Sequence, residues 1–326
     1  MEQLLDKIST NSILILVTIV LEMICVPLFL HFYWPNRTWK SFTMKTVSSI
    51  IFILCGVFSA QLCYVLNTEF FHGAGFNLFK FTGDMLDYPR LIIFGLIFGM
   101  LGDVVLHKLK GTNLSFIIGM LLFLAGHIFY IVAFDVAKGD FVYGKAETVG
   151  KIIIGVGVVF VIAILVTSIV TKKIKGREAV LAAAAVYGVI LFTMVSKAVS
   201  AAMTFAEYSE PGVSSPWGNL FYATTSHDPR PDWMIKGQQL FGGCESWQVA
   251  SVVIVVGALL FITSDLLLGF MIAREKGFGK NPSRPLRIIN IYTYYIAQIV
   301  LALSILVIPL GFEWVEDIYP MLGFYS

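Results

Sequence analysis

Charge is what this chain has least of. Only 13% of its 326 residues are Asp, Glu, Lys or Arg, and the net charge is +2, whereas a soluble domain usually carries about 25% charged residues. A chain this poor in charge cannot cover itself with a polar surface in water. The near-neutral balance also gives no electrostatic case for nucleic acid. Cysteine is scarce as well: Cys25, Cys55, Cys63 and Cys244. Three of these lie in apolar runs and read as small packing residues, not as a disulfide framework. The five histidines, His31, His72, His107, His127 and His227, form no His-x-x-x-His pair. That leaves a zinc site built on His127 and two aspartates as a weak reading, and neither metal nor other cofactor is expected. The first eleven residues contain Glu2, Asp6 and Lys7. The apolar run after them is too long for the core of a cleaved signal, so it reads as a retained first span.

What the chain has in abundance is hydrophobic sequence: 57% of residues, with a mean hydropathy of +0.82. A membrane-spanning helix needs roughly 20 mainly apolar residues. Runs of that kind lie near 12–32, 45–66, 90–107, 114–134, 150–171, 178–206, 248–273 and 288–311. In hydrocarbon every backbone N–H and C=O must be satisfied within its own segment, so these runs are helices. The expected fold is an all-α, polytopic bundle of about eight transmembrane helices, forming one membrane-embedded domain over residues 1–326.

Basic residues follow the odd-numbered spans: Arg37, Lys40 and Lys45 after the first, Lys108 and Lys110 after the third, Lys172, Lys173, Lys175 and Arg177 after the fifth, and Arg274, Lys276, Lys280, Arg284 and Arg287 after the seventh. The rule that basic loops stay cytoplasmic puts both termini outside. It also puts outside the longest loop, about 207–247, which is rich in Gly, Pro and Ser and carries no recognisable motif. The Asn-X-Ser/Thr sites at Asn36 and Asn113 fall in loops placed inside, and so count for little.

Function must then lie with the polar residues inside the spans, because ionisable side chains there are costly and rare. They are Glu22, Asp103, His127, Lys197 and Asp265, with Tyr187, Tyr294, Tyr295 and Gln298 adding hydrogen-bonding capacity. Asp103 and Asp265 lie toward the ends of spans 3 and 7. Tyr294 and Gln298, at i and i+4, share a face of span 8. These four are expected to meet at one depth, with His127 and Tyr130 (i, i+3) further toward the outside as a cavity wall. The stretches Gly102-Asp103-Val104-Val105-Leu106 and Ser264-Asp265-Leu266-Leu267-Leu268 are alike. A parallel four-plus-four duplication is one explanation of the likeness, and chance is another. The glycines of span 3, Gly95, Gly99 and Gly102, suit close helix packing better than phosphate binding.

Four stretches taken together resemble a known family. They are the Gly102-Asp103 pair closing span 3, the Gly126-His127-Ile128-Phe129-Tyr130 stretch of span 4, the Ser264-Asp265 pair of span 7, and Tyr294-Tyr295-Ile296-Ala297-Gln298 of span 8. Set in this order on four helices, they resemble the YhhN family of lysoplasmalogenase-like membrane proteins, and Tyr187 and Met194 fit its pattern too. The resemblance covers about the last three quarters of the chain. The loops at 67–89 and 207–247 look like insertions.

The resemblance implies a hydrolase that cleaves the vinyl ether bond of lysoplasmalogens to a fatty aldehyde and a glycerophospho-alcohol. Its substrate would be a lysophospholipid entering from the bilayer. Vinyl ethers are cleaved by acid, and two carboxyl groups in different environments are a recurrent arrangement for acid and base roles. Asp103 and Asp265 would be the catalytic pair, with His127, Tyr130, Tyr187, Tyr294 and Gln298 binding substrate or supporting them. The residues alone leave one rival open, a transporter or proton pathway using the embedded Asp, His and Lys side chains.

Overall fold

The computed structural model describes residues 2–33, 39–71, 78–79, 87–108, 113–138, 144–170, 178–208, 246–278 and 284–316. Among these residues the structure is helical apart from single turns, with no strand. The eight helices are α1 (Glu2–Tyr33), α2 (Trp39–Phe71), α3 (Tyr88–Lys108), α4 (Asn113–Lys138), α5 (Gly144–Val170), α6 (Glu178–Tyr208), α7 (Ser246–Phe278) and α8 (Arg284–Glu316). Each is long and apolar enough to cross a membrane, so the chain is a multi-pass integral membrane protein, as the hydropathy implies. The loop expected at 207–247 lies almost wholly outside the described residues and Cys244 lies outside them, while Cys25, Cys55 and Cys63 are not in disulfides.

Successive helices pair as antiparallel hairpins: α1 with α2, α3 with α4, α5 with α6, α7 with α8. Contacts of α2 with α3, α4 with α6, α6 with α7 and α8 with α2 close six of them, α2, α3, α4, α6, α7 and α8, into a ring. α3 also touches α8 across it. α1 packs outside on α2 and α5 outside on α6. The burial pattern agrees: the apolar window of α5 is 17% buried and that of α2 56%, as expected when lipid, not protein, covers an outer helix.

Replacing each helix by the one four later maps most of this pattern onto itself. The α1/α2 contact becomes α5/α6, α2/α3 becomes α6/α7, α3/α4 becomes α7/α8, and α2/α8 becomes α6/α4. Helices four apart in an alternating bundle run the same way, so the arrangement is that of a parallel four-plus-four repeat, with Asp103 on α3 and Asp265 on α7 in corresponding places.

Close helix approach inside the ring depends on the glycines of α3. A Cβ on Gly102 would come within 2.8 Å of the Phe123 ring of α4, and the Tyr130 ring lies over Gly95. On the facing side, a Cβ on Gly126 of α4 would meet the Gly95 carbonyl at 3.1 Å. These small residues let α3 and α4 pack backbone to backbone.

Candidate active site

Asp265 is buried, and two helices supply its partners. Tyr187 of α6 donates its hydroxyl to Oδ2 at 2.5 Å, and His127 Nε2 of α4 lies 3.1 Å from the same oxygen. The other imidazole nitrogen, Nδ1, is 2.7 Å from the carbonyl of Phe123 one turn back. A carbonyl can only accept, so Nδ1 carries hydrogen. Nε2 and Oδ2 would then repel unless a proton lies between them. Whether it is drawn on the imidazole or on the carboxyl, the His127–Asp265 pair holds one proton, and Tyr187 adds a second donor to the carboxyl oxygen. Phe261 covers the pair, with its ring edge-on to His127 at 4.7 Å between centroids.

Asp103 is buried in a different environment. Lys45 Nζ of α2 is 2.8 Å from Oδ1, and Ser49 Oγ, one turn further along α2, donates to Oδ2 at 2.9 Å. Both carboxylate oxygens face donors, one of them an ammonium, and this is the setting of an ionised group. The Lys45 side chain is 19% exposed and that of Asp103 4%. The lysine therefore still reaches water along its stem while the aspartate does not.

Between the two carboxyl groups lies a layer of aromatic and amide side chains. Tyr130 Oη donates to Gln298 Oε1 at 2.8 Å. Phe261 packs on Tyr130 and on Tyr294, with centroids 5.9 and 5.7 Å away, and Phe123 packs on Tyr294 at 6.0 Å. Two polar atoms in this layer, Tyr294 Oη and Gln298 Nε2, are buried without a hydrogen bond of full geometry, although the two side chains lie close enough to interact with each other. Both press on the backbone of Gly99, where a Cβ would sit 3.3 Å from the first and 2.9 Å from the second. Buried donors are normally paired, so these two side chains have hydrogen-bonding capacity that the protein does not fully use. The layer is tied to α7 from beside Asp265: Asn290 Nδ2 of α8 donates to the Ser264 carbonyl at 2.6 Å.

Every residue expected at the site is inside the ring, but the grouping differs from the expectation. His127 and Tyr130 do not form a separate outer wall. One bonds Asp265 directly and the other bonds Gln298, so they belong to the same layer. The two aspartates have no common partner: Asp103 is held by α2, and Asp265 by α4 and α6. Lys197 lies apart from this layer, whereas Glu22 is within electrostatic range of Asp103. Lys197 pairs with Asp135 of α4 at 2.5 Å, on a partly exposed face. Glu22 on α1 is buried with both carboxyl oxygens unpartnered. Lys45 and Ser49 were missed by sequence reasoning. α2 begins at Trp39, ahead of the span expected from 45, so a lysine counted with the basic loop is an intramembrane ligand of Asp103. A serine leaves little trace in hydropathy.

Residues 74–226 and 236–305 match the YhhN family. The chain belongs to the YhhN family. The match takes in α3, α4, α5, α6 and α7, the first two thirds of α8, and with them Asp103, His127, Tyr130, Tyr187, Asp265, Tyr294 and Gln298. α1 and α2, which carry Glu22, Lys45 and Ser49, precede the matched residues. Comparison with curated proteins and with solved structures gives no match. The described residues include no cluster of three or more His, Cys, Asp or Glu side chains able to hold a metal ion.

Proposed function

We propose that this YhhN protein is a membrane hydrolase that cleaves the vinyl ether bond of lysoplasmalogen-type lysophospholipids. The observation that carries the proposal is the difference in setting of the two carboxyl groups: Asp265 Oδ2 lies 3.1 Å from His127 Nε2 and accepts from Tyr187, while Asp103 Oδ1 lies 2.8 Å from Lys45 Nζ. Vinyl ether hydrolysis calls for that division of labour. Family membership supports the same activity through what the sequence resemblance implies.

In this account the alkene carbon distal to the ether oxygen takes the proton held between His127 Nε2 and Asp265 Oδ2. The C=C electron pair forms the new C–H bond, and the positive charge is shared by the adjacent carbon and the ether oxygen. Asp265 is left as an anion, and the Tyr187 hydroxyl stabilises it. Water, held at Tyr294 Oη and Gln298 Nε2, attacks the cationic carbon and returns a proton to the His127–Asp265 pair. The resulting hemiacetal breaks its C–O bond as its hydroxyl proton passes to the ether oxygen, giving the aldehyde and the glycerophospho-alcohol. The ionised Asp103 acts at longer range and lowers the energy of the cation in a medium of low dielectric. Tyr130 fixes the amide of Gln298 so that Nε2, not Oε1, faces the reacting atoms.

The test is hydrolysis of a defined vinyl ether lysophospholipid in deuterated water by the purified protein in lipid nanodiscs, with rapid trapping of the product. The expected result is a fatty aldehyde carrying one deuterium at its second carbon, and no cleavage of the saturated alkyl ether analogue. Absence of aldehyde release from the vinyl ether, or equal cleavage of the alkyl ether, overturns the proposal.

A further inference from the structure

A second polar feature lies away from the two aspartates, where the last turn of α1 faces the first turns of α8. α1 and α8 touch at few points. Between them, at the end of the bundle where the basic loops emerge, is a cavity of about 270 Å³. Its polar lining is cationic or neutral: Arg284 and Arg287 from α8, His31 from α1, and the hydroxyl-bearing rings of Tyr33 and Tyr292. Among the described residues, none that lines it is acidic. The rest of the wall is apolar, formed by Pro27, Leu30 and Ile288.

Three features point to one class of ligand. Two guanidinium groups, one turn apart on one helix, present planar donor arrays suited to phosphate oxygens. They stand at the N-terminus of a 33-residue helix, whose dipole favours an anion. The apolar wall lies at the ends of two apolar spans, Ser9–Tyr33 and Arg284–Val307, so a bound anion would sit at the boundary between hydrocarbon and water, with tyrosines at the rim where amphipathic rings belong. The volume falls just below the roughly 300–1,000 Å³ of sites that enclose a drug-sized ligand, and so fits a headgroup better than a whole lipid. Tyr33, which lines the cavity, packs on the ring of Phe29 with centroids 5.3 Å apart.

We propose that the α1–α8 cavity binds the phosphate of a glycerophospholipid headgroup, with Arg284 and Arg287 on the phosphate and the acyl chain leaving along Pro27, Leu30 and Ile288. The shared chemistry is a phosphate anion, and the apolar wall assigns it to lipid, not to a soluble phosphate. The site stands independently of the hydrolase reading, because none of its lining residues belongs to the layer around Asp103 and Asp265.

The test is a native mass spectrometry titration of the full-length, delipidated protein in detergent, with three probes: dioleoylphosphatidylglycerol, dioleoylglycerol and inorganic phosphate. The phospholipid is expected to bind at least about tenfold more tightly than either of the others. Each basic residue beside lipid phosphate contributes roughly fivefold, so Arg284→Gln with Arg287→Gln should weaken phospholipid binding about 30-fold, while Arg284→Lys with Arg287→Lys should retain most of it. Should the double glutamine variant fail to fold, Arg287→Gln alone, expected at about fivefold, decides. Binding of phosphatidylglycerol unchanged by loss of the arginines, or matched by dioleoylglycerol, overturns the site. Inorganic phosphate binding as tightly as the phospholipid overturns its assignment to lipid.

Discussion

Removing Lys45 should harm the protein more than removing the aspartate it holds. In Lys45→Met the Asp103 carboxylate remains, with a side chain 4% exposed, and loses the ammonium 2.8 Å from Oδ1. Only the Ser49 hydroxyl is left to it. Stripping one partner from a buried ion pair typically costs about 3–5 kcal/mol, and an aspartate in the middle of a bilayer about 2.5–3.5 kcal/mol. Asp103 stands three residues from the end of the span Tyr88–Leu106, where some water reaches, so the expected cost is about 2–3 kcal/mol. Asp103→Asn is milder. The amide still accepts from Ser49, and the Lys45 side chain, 19% exposed, can extend toward water along its stem, for a cost of about 1 kcal/mol. The double variant Lys45→Met with Asp103→Asn leaves no buried charge at this pair and should be more stable than Lys45→Met alone. Reversible unfolding from mixed micelles, read as a double-mutant cycle, measures all three. A Lys45→Met cost below about 0.5 kcal/mol, or a double variant less stable than Lys45→Met, would refute the buried pair.

Other substitutions separate the roles within the layer. Tyr187→Phe removes one donor from Asp265 and leaves the His127 contact, so aldehyde release should fall about tenfold with the substrate KM little changed. His127→Gln loses the ring that shares the proton, and turnover should fall by about 10²-fold or more. Gly99→Ala places a methyl 2.9 Å from Gln298 Nε2. It should displace the amide, break the Tyr130–Gln298 bond and cost about 1–3 kcal/mol of stability, measurable as a lowered Tm together with reduced turnover. Lys197→Met, by contrast, breaks only a partly exposed pair with Asp135. It should leave turnover within about twofold and stability within about 1 kcal/mol.

The span pattern was legible in the sequence because it depends on a coarse quantity, the run of apolar residues needed to cross hydrocarbon. The embedded polar residues were legible for the same reason inverted: Asp103, His127, Asp265 and Gln298 stand out because lipid makes polar side chains expensive. What faces what was not legible. Spacing along one helix puts Tyr294 and Gln298 on a common face, yet it is silent on which other helix that face meets. Hence Tyr130 was assigned to an outer wall when its hydroxyl bonds Gln298 from α4. Lys45 was hidden because hydropathy ends a span where charge begins, whereas the backbone of α2 continues through Lys45 to Trp39. Lys197 looked like a functional charge until its partner Asp135, near the far end of α4, came into contact. The resemblance between the surroundings of Asp103 and Asp265 did carry structural information, since the two helices occupy corresponding places in the two halves of the bundle.

The central claim is that two embedded carboxyl groups in different protonation settings perform the hydrolysis. Steady-state aldehyde release from a vinyl ether lysophospholipid by purified Asp103→Asn and Asp265→Asn tests it most directly, with folding checked by thermal melting. Both substitutions keep the shape of the side chain and one of its two accepting oxygens, and replace the other oxygen with an NH2 donor. The account predicts a loss of about 10²-fold or more in Asp265→Asn, which cannot deliver the proton, and a smaller loss of at least tenfold in Asp103→Asn, which no longer offsets the cation. Turnover near that of the unaltered protein in both variants would contradict it.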